Sequence, residues 1–101
     1  MKRPIPMATK LAARRLGENV SSWRKLYRIT SEELADRAGV SRATVSRLEN
    51  GDPSVSLATF LGVCRVLDMI DPVVEATDPY ETDLGRARAD QELPQRVRRP
   101  R

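Results

Sequence analysis

The sequence comprises 101 residues, of which 40% are hydrophobic and 32% are charged, a size that allows one compact domain with a modest core. Its longest apolar run, from Phe60 to Cys64, is too short to cross a bilayer, so no membrane partner is expected. With one cysteine and no histidine, the chain cannot form an internal disulfide or an ordinary zinc site, and it fits a reducing, cytoplasmic location.

The net charge of +4 is unevenly distributed along the chain. Residues 1–15 carry five bases and no acid, whereas residues 16–76 carry seven bases and nine acids. Residues 77–101 carry six bases and five acids. The excess positive charge therefore lies at the two ends, where it either keeps the terminal segments solvated or contacts an anionic partner.

A first helix is predicted in the proline-free stretch that follows Pro6. Residues 1–7, which contain two prolines and two bases, are expected to form a flexible basic arm. Helical spacing then places four apolar residues on one core-facing stripe, which consists of Leu16, Val20, Trp23 and Tyr27. Gly17 is expected only to weaken the middle of this helix.

Thr30 and Glu33 mark the start of a second helix, because their spacing is that of a capping box. Leu34 and Ala35 supply its short buried face. Gly39 ends the helix, since glycine readily adopts the left-handed conformation found at helix C-termini.

Hydroxyl caps predict two more helices. Ser41 is expected to cap a third helix over about residues 42–50, and Ser56 a fourth over residues 57–67. A short fifth helix fits residues 72–76.

These elements predict an all-α fold, a compact bundle of four to five short helices that contains a helix-turn-helix. The domain would span residues 8–76. Residues 77–101 are polar and carry few apolar side chains, which predicts a disordered tail.

Two short helices joined at a glycine form either a simple helical corner or a DNA-reading motif. The predicted third helix favours the second reading, because its apolar Val45 and Leu48 fall on the side opposite to four residues that packing does not need. Arginine can bond bidentately to guanine, and an alanine methyl group can contact the methyl group of thymine. The four outward residues are Arg42, Ala43, Ser46 and Arg47.

This stretch resembles the Cro and lambda-repressor type of helix-turn-helix, the XRE family. The resemblance is carried by LGE at 16–18, SEELA at 31–35, GVS at 39–41 and TVSRLENG at 44–51, and it covers about half of the chain. It implies double-stranded DNA as the partner, with base edges read by Arg42, Ala43, Ser46 and Arg47. It also implies phosphate contacts from Ser31, Ser41, Thr44 and Asn50.

The same resemblance implies an ion pair between Arg24 and Glu49, the alternative being two separately solvated charges. Because residues 16–76 carry a net charge of −2, the motif itself offers few cations to phosphate. We expect the missing contacts to come from Lys2, Arg3 and Lys10 or from the C-terminal arginines.

One reading helix contacts too few base pairs to select a single site, so the resemblance implies a homodimer on a palindrome. The candidate dimer surface comprises the exposed side of the fourth helix and five apolar residues, Leu67, Met69, Ile70, Val73 and Val74. The alternative is that these residues complete the core of the monomer.

Two functions remain open at this point. The first is a transcriptional repressor that occupies a palindromic operator. The second is an antitoxin, since the domain and its polar tail also resemble the HipB-like antitoxins, whose partners are HipA-type kinase toxins. In that case the tail would bind the toxin.

An enzyme is not expected. The chain has no histidine, its acids are scattered over helical faces, and its single thiol, Cys64, lies on the apolar side of the predicted fourth helix. We therefore predict no catalytic residue, no metal and no cofactor.

Overall fold

The computed structural model describes residues 3–93, and every regular element in this range is helical, as predicted. The elements are α1 (Met7–Leu26), α2 (Ser31–Ala38), α3 (Arg42–Glu49), α4 (Leu57–Val66), α5 (Ile70–Ala76), a 3₁₀ turn (Pro79–Glu81) and α6 (Asp83–Glu92). They belong to two compact units, Met1–Met69 and Ile70–Arg101. No helix in the described range is long and apolar enough to cross a membrane.

α2, α3 and α4 begin at the capping residues predicted for them, whereas α5 begins at Ile70, two residues before the predicted start. The Glu33 amide donates to Thr30 Oγ1 and the Thr30 amide donates to Glu33 Oε1, each at 3.0 Å, which completes the capping box of α2. Ser41 and Ser56 each accept from the amide three residues further on, at 3.1 Å, and so start α3 and α4. Gly39 ends α2 with φ of 72°. Local sequence therefore fixes the bounds of the motif.

The core of the first unit joins α1, α2, α3 and α4. Its buried side chains are Val20, Leu34, Ala35, Val45, Leu48, Val63 and Leu67. α2 packs against both α3 and α4, and α1 packs against α3. The helix-turn-helix is thus held between α1 and α4, which sets the direction in which α3 faces.

The apolar stripe predicted for α1 is largely wrong. Leu16, Trp23 and Tyr27 are 48%, 39% and 48% exposed, whereas Gly17 and Val20 are buried. The buried face is rotated because the glycine, having no side chain, lets a neighbouring helix approach α1 closely.

Leu67, proposed above as a dimer contact, is a core residue of the monomer with 1% exposure. Met69 is partly buried against the same core. These two residues close their own domain, so they offer a second subunit little surface. Ile70 and Val73 are half-buried, and Val74 is 53% exposed.

The second unit contains a helix that the sequence analysis did not predict. α6 occupies part of the segment 77–101, which we expected to be disordered. Thr82 Oγ1 accepts from the Gly85 amide at 2.9 Å and starts the helix. Its apolar residues are too sparse to give a helical period, although Ala89 is buried. The units divide after residue 69 and not after 76, and residues 94–101 lie outside the described range.

Candidate nucleic-acid interface

α3 presents one continuous polar face to solvent. Val45 and Leu48 turn inward, with 0% and 7% exposure. All four residues proposed to read bases lie on the other side and are exposed, namely Arg42, Ala43, Ser46 and Arg47. The fold thus brings these four residues together on a surface that takes no part in the core.

The C-terminal end of α3 packs against α1 at Gly17. A Cβ atom placed on Gly17 would lie 2.4 Å from the carbonyl oxygen of Leu48 and 2.7 Å from that of Glu49. Only glycine allows the two backbones to come so close. Gly17, which the sequence analysis treated as a weak point, therefore determines how α3 is placed.

Arg24 and Glu49 form a second link between the same two helices. Arg24 Nε lies 2.8 Å from Glu49 Oε2, and Nη2 lies 3.1 Å from Oε1, a bidentate arrangement. Arg24 Nη1 also donates to the carbonyl of Ile29 at 3.1 Å. The two side chains are only 14% and 12% exposed, and the hydrogen bonds to Glu49 raise the pKa of the Arg24 guanidinium. The pair that the resemblance implied ties α1 to the end of α3.

Ser41 and Thr44 form the N-terminal edge of α3. The Thr44 amide donates to Ser41 Oγ at 3.1 Å, and the two hydroxyl oxygens lie 2.8 Å apart. The first turn of α3 contains no acidic residue. The positive end of the helix dipole is therefore available to an anion at this edge.

The other two candidate phosphate ligands, Ser31 and Asn50, have different surroundings. Ser31 is the half-buried first residue of α2, next to Glu32 and Glu33. Hydrogen bonds from Thr30 lower the pKa of Glu33, so this end of α2 carries negative charge. Asn50 follows α3, is exposed, and directs Nδ2 towards Ser46 Oγ at 3.4 Å. The N-terminus of α3 thus lacks the acidic side chains that lie at the start of α2.

Arg47 is held by a network that the sequence analysis missed. Arg47 Nε donates to Asp52 Oδ2 at 2.9 Å, and Nη2 donates to Ser54 Oγ at 3.2 Å. Asp52 Oδ1 in turn accepts from the amide of Ser54 at 2.8 Å and from its hydroxyl at 2.6 Å. These hydrogen bonds lower the pKa of Asp52 to about 2, with Ser54 the main cause. An Asp-x-Ser turn just after the helix was the available signal.

The N-terminal half of α1 runs beside the turn that follows α3. Gly51 has φ of 81°, and a Cβ atom there would lie 2.6 Å from Arg14 Cα. Arg14 and Lys10 are both exposed on α1. Of the other cations expected to contact phosphate, Arg3 is exposed ahead of the helix, whereas Lys2 and the arginines from 96 onward lie outside the described residues.

Comparison with known proteins identifies the family. The model of a helix-turn-helix family matches residues 20–73, which is more than half of the chain and includes α2, α3 and α4. The chain belongs to the helix-turn-helix family of the Cro and lambda-repressor type. Within the matched segment, α2 and α3 are the two helices of the motif.

Three known proteins are similar to about two thirds of this helix-turn-helix chain. Antitoxin PezA of Streptococcus pneumoniae is 33% identical over 76 residues, which cover 68% of this chain and 48% of the relative. An HTH-type transcriptional regulatory protein of Pyrococcus furiosus is 30% identical over 70 residues, 69% of this chain and 22% of the relative. Control protein C.SmaI of Serratia marcescens is 26% identical over 70 residues, 69% of this chain and 83% of the relative.

The chain thus spans about half of the length of Antitoxin PezA and about a fifth of the Pyrococcus protein. No solved structure matches the chain. Each relative matches 68% or 69% of this chain. Their names belong to two functional classes, because two are regulatory or control proteins and one is an antitoxin.

Proposed function

We propose that the protein is a sequence-specific DNA-binding transcriptional regulator, a repressor that binds a palindromic operator as a homodimer. One observation carries this proposal: four polar or small residues of α3 are exposed together while the inward side of the same helix is buried. With eight residues, α3 is about 12 Å long, which suits insertion into the major groove.

The four outward residues fit distinct parts of a base edge. Arg42 and Arg47 can donate to O6 and N7 of guanine, and the methyl group of Ala43 can contact the methyl group of thymine. Ser46 can both donate and accept a hydrogen bond. This division of roles provides direct readout of a short half-site.

Phosphate contacts would fix the orientation of α3 without reading sequence. Ser41 and Thr44 lie at the positive end of α3, and Asn50 lies at its other end. Ser31 begins α2. The cations Lys10 and Arg14 supplement these groups, because α1 passes beside the turn after α3.

A homodimer would place two such helices on half-sites about 34 Å apart. Two parts of the predicted dimer surface expose apolar side chains within the described residues. α4 carries Leu57, which is 70% exposed, and α5 carries Val74, which is 53% exposed. Ile70 and Val73 of α5 remain part of the proposed surface, whereas the buried Leu67 does not.

Selection of bound sequences from a random duplex pool tests the proposal. The wild-type chain should enrich a palindrome with two half-sites about one helical turn apart. Arg42→Ala or Arg47→Ala should each cost about 1–3 kcal/mol of binding free energy on that palindrome. Lys25→Ala, which removes an exposed base near the end of α1, is the matched control and should leave the preference unchanged. A pool without enriched sequences would contradict the proposal.

An antitoxin that also regulates its own operon is the second candidate. It is favoured by the similarity to Antitoxin PezA and by α6, a polar helix beyond the helix-turn-helix unit. The partner would be a toxin protein, which by the resemblance to HipB-like antitoxins is of the HipA type. Leu84 of α6 is 66% exposed, so Leu84→Asp should abolish co-purification with the product of the neighbouring gene without changing DNA selection. Failure of the wild-type chain to capture that product would count against this candidate.

The proposal includes no catalytic step and no cofactor. Cys64 is 3% exposed, and burial raises the pKa of its thiol, which disfavours the thiolate that a nucleophile requires. We expect the protein to act in the cytoplasm, where such a thiol stays reduced.

A further inference from the structure

Arg47 is fastened to the loop after α3 by one edge of its guanidinium group. Its Nε donates to Asp52 and one N–H of Nη2 donates to Ser54. Arginine has five N–H donors in a rigid plane. Nη1 and the outer N–H of Nη2 make no hydrogen bond with any residue between 3 and 93. These two terminal nitrogens form the end of the guanidinium fork, and their outward N–H groups are therefore available to a ligand.

The unoccupied end of the fork has the geometry that guanine requires. O6 and N7 of guanine accept two parallel hydrogen bonds from the two terminal nitrogens of an arginine. The carboxylate of Asp52 and the hydroxyl of Ser54 bind the opposite edge, so they do not compete for these donors. Fixing the long side chain before binding also reduces the rotamer entropy that would otherwise be lost in the complex.

We propose that Asp52 is a positioning residue that, together with Ser54, holds Arg47 ready to read guanine. This inference rests on the proposed function and deepens it by naming the base that α3 reads at one position. Asp52 does not belong to the hydrophobic core, and its side chain is 32% exposed. Its two carboxylate oxygens serve two separate purposes, one for the turn and one for the arginine.

A carboxylate beside the reading helix also acts on selectivity through its charge. It repels the phosphates of every duplex equally, which weakens binding to random sequences. At the same time it strengthens one base contact in the cognate site only. Asp52 therefore lowers the affinity for random duplex and supports the affinity for the cognate site, which raises the ratio of specific to random binding.

Asp52→Asn separates the two purposes of the carboxylate. The amide oxygen can still accept from Ser54 and keep the turn, whereas the amide nitrogen would face the Nε–H of Arg47 as donor against donor. We expect discrimination of guanine from the other three bases to fall about tenfold at the position that Arg47 reads. Affinity for random duplex should rise, because a negative charge is removed. Ser54→Ala, which leaves Asp52 charged, should reduce the same discrimination by a smaller factor.

The experiment measures binding to duplexes that carry each of the four bases at every position of the selected half-site. It uses the wild-type chain, Arg47→Ala, Asp52→Asn, Ser54→Ala and the double variant of positions 47 and 52, each checked for helix content. Arg47→Ala identifies the position at which guanine preference is lost. In the absence of Arg47, Asp52→Asn should change the preference at that position no further.

Three results would overturn the inference while leaving the proposed function intact. The first is an Arg47→Ala variant that keeps every base preference. The second is an Asp52→Asn variant that discriminates guanine as well as the wild-type chain does. The third is an Asp52→Asn variant with increased discrimination, which would mean that the carboxylate holds Arg47 away from DNA. If the wild-type chain selects no sequence at all, the proposed function fails and the inference fails with it.

Discussion

Gly17 of α1 and Leu48 of α3 meet backbone to backbone, at a point where a Cβ atom on the glycine would lie 2.4 Å from the leucine carbonyl oxygen. Because the contact is between backbone atoms of the two helices, no flexible side chain could move aside to make room for a Cβ atom. The placement of α3 therefore depends on the absence of a side chain at Gly17 in α1.

Gly17→Ala should destabilise the fold even though alanine favours helix by about 1 kcal/mol. Overpacking at this contact should outweigh that gain and lower the free energy of unfolding by roughly 1–3 kcal/mol, as measured by urea titration. Gly62→Ala in α4 is the control, because its Cβ atom would meet only the carbonyl oxygen of Ala38 at 3.4 Å. The control should be neutral or slightly stabilising. Equal effects of the two substitutions would contradict the role given to Gly17.

Glu49→Gln should weaken the link between the ends of α1 and α3. The charge-assisted hydrogen bonds from Arg24 are largely shielded from solvent, so their loss should cost about 2 kcal/mol of unfolding free energy. Glu18→Gln removes an exposed acid from α1 and should have little effect. A double-mutant cycle with Arg24→Met measures the coupling directly, and a coupling energy near zero would show that the ion pair does not stabilise the domain.

Asp52 should titrate at unusually low pH. Because its pKa falls to about 2 in the folded chain, from about 3.9 in an unfolded one, its stabilising effect is complete above about pH 4. That effect is lost as the pH falls towards 2. Titration of the carboxyl carbon by NMR should show the low value, and Ser54→Ala should raise it. A carboxyl group that titrates near 3.9 in the wild-type chain would contradict the network.

Binding to random duplex should depend on Lys10 and Arg14. Replacing both with glutamine should weaken binding to all sequences alike and reduce the salt slope by about 1 for each phosphate that is no longer neutralised. The measurement is fluorescence anisotropy over a range of salt concentrations. The control for net charge replaces two other exposed bases, Lys25 and Arg88, with glutamine. If the control flattens the slope as much, overall charge and not the position of these two bases would explain the effect.

Cys64 should react slowly with thiol reagents in the folded chain. Its 3% exposure and raised pKa both limit access to the thiolate. Labelling with an aromatic disulfide should be fast in concentrated urea and much slower without it. Rapid labelling of the native chain would mean that α4 opens readily.

Local signals predicted the helices of the first unit well, since capping residues act over three or four positions. Thr30, Ser41 and Ser56 each form the cap that was expected, and Gly39 has the expected left-handed conformation. The face of α1 could not be predicted in the same way. Which side of that helix is buried depends on a backbone contact with α3, which is distant in the sequence. Hydrophobic periodicity could not indicate this contact, because glycine has no apolar side chain to contribute to the pattern.

The outward residues of α3 were predictable because they lie on the side of the helix opposite to the buried Val45 and Leu48. The attachment of Arg47 was not, since it depends on the turn that brings Asp52 back to the helix. α6 was missed for a third reason. It is started by the hydroxyl of Thr82 and buries little apolar surface, so it lacks the pattern on which helix prediction relies.

The exposed face of α3 has an evolutionary consequence. Arg42, Ala43 and Ser46 are exposed, so we expect that they can be exchanged without disturbing the core. Under the proposed function, such exchanges would give a gene copy a new operator on the same stable scaffold. Position 47 differs, because loss of the arginine would leave the carboxylate of Asp52 without its ion-pair partner at the proposed DNA interface. Among natural variants of this chain, positions 47 and 52 should therefore change together.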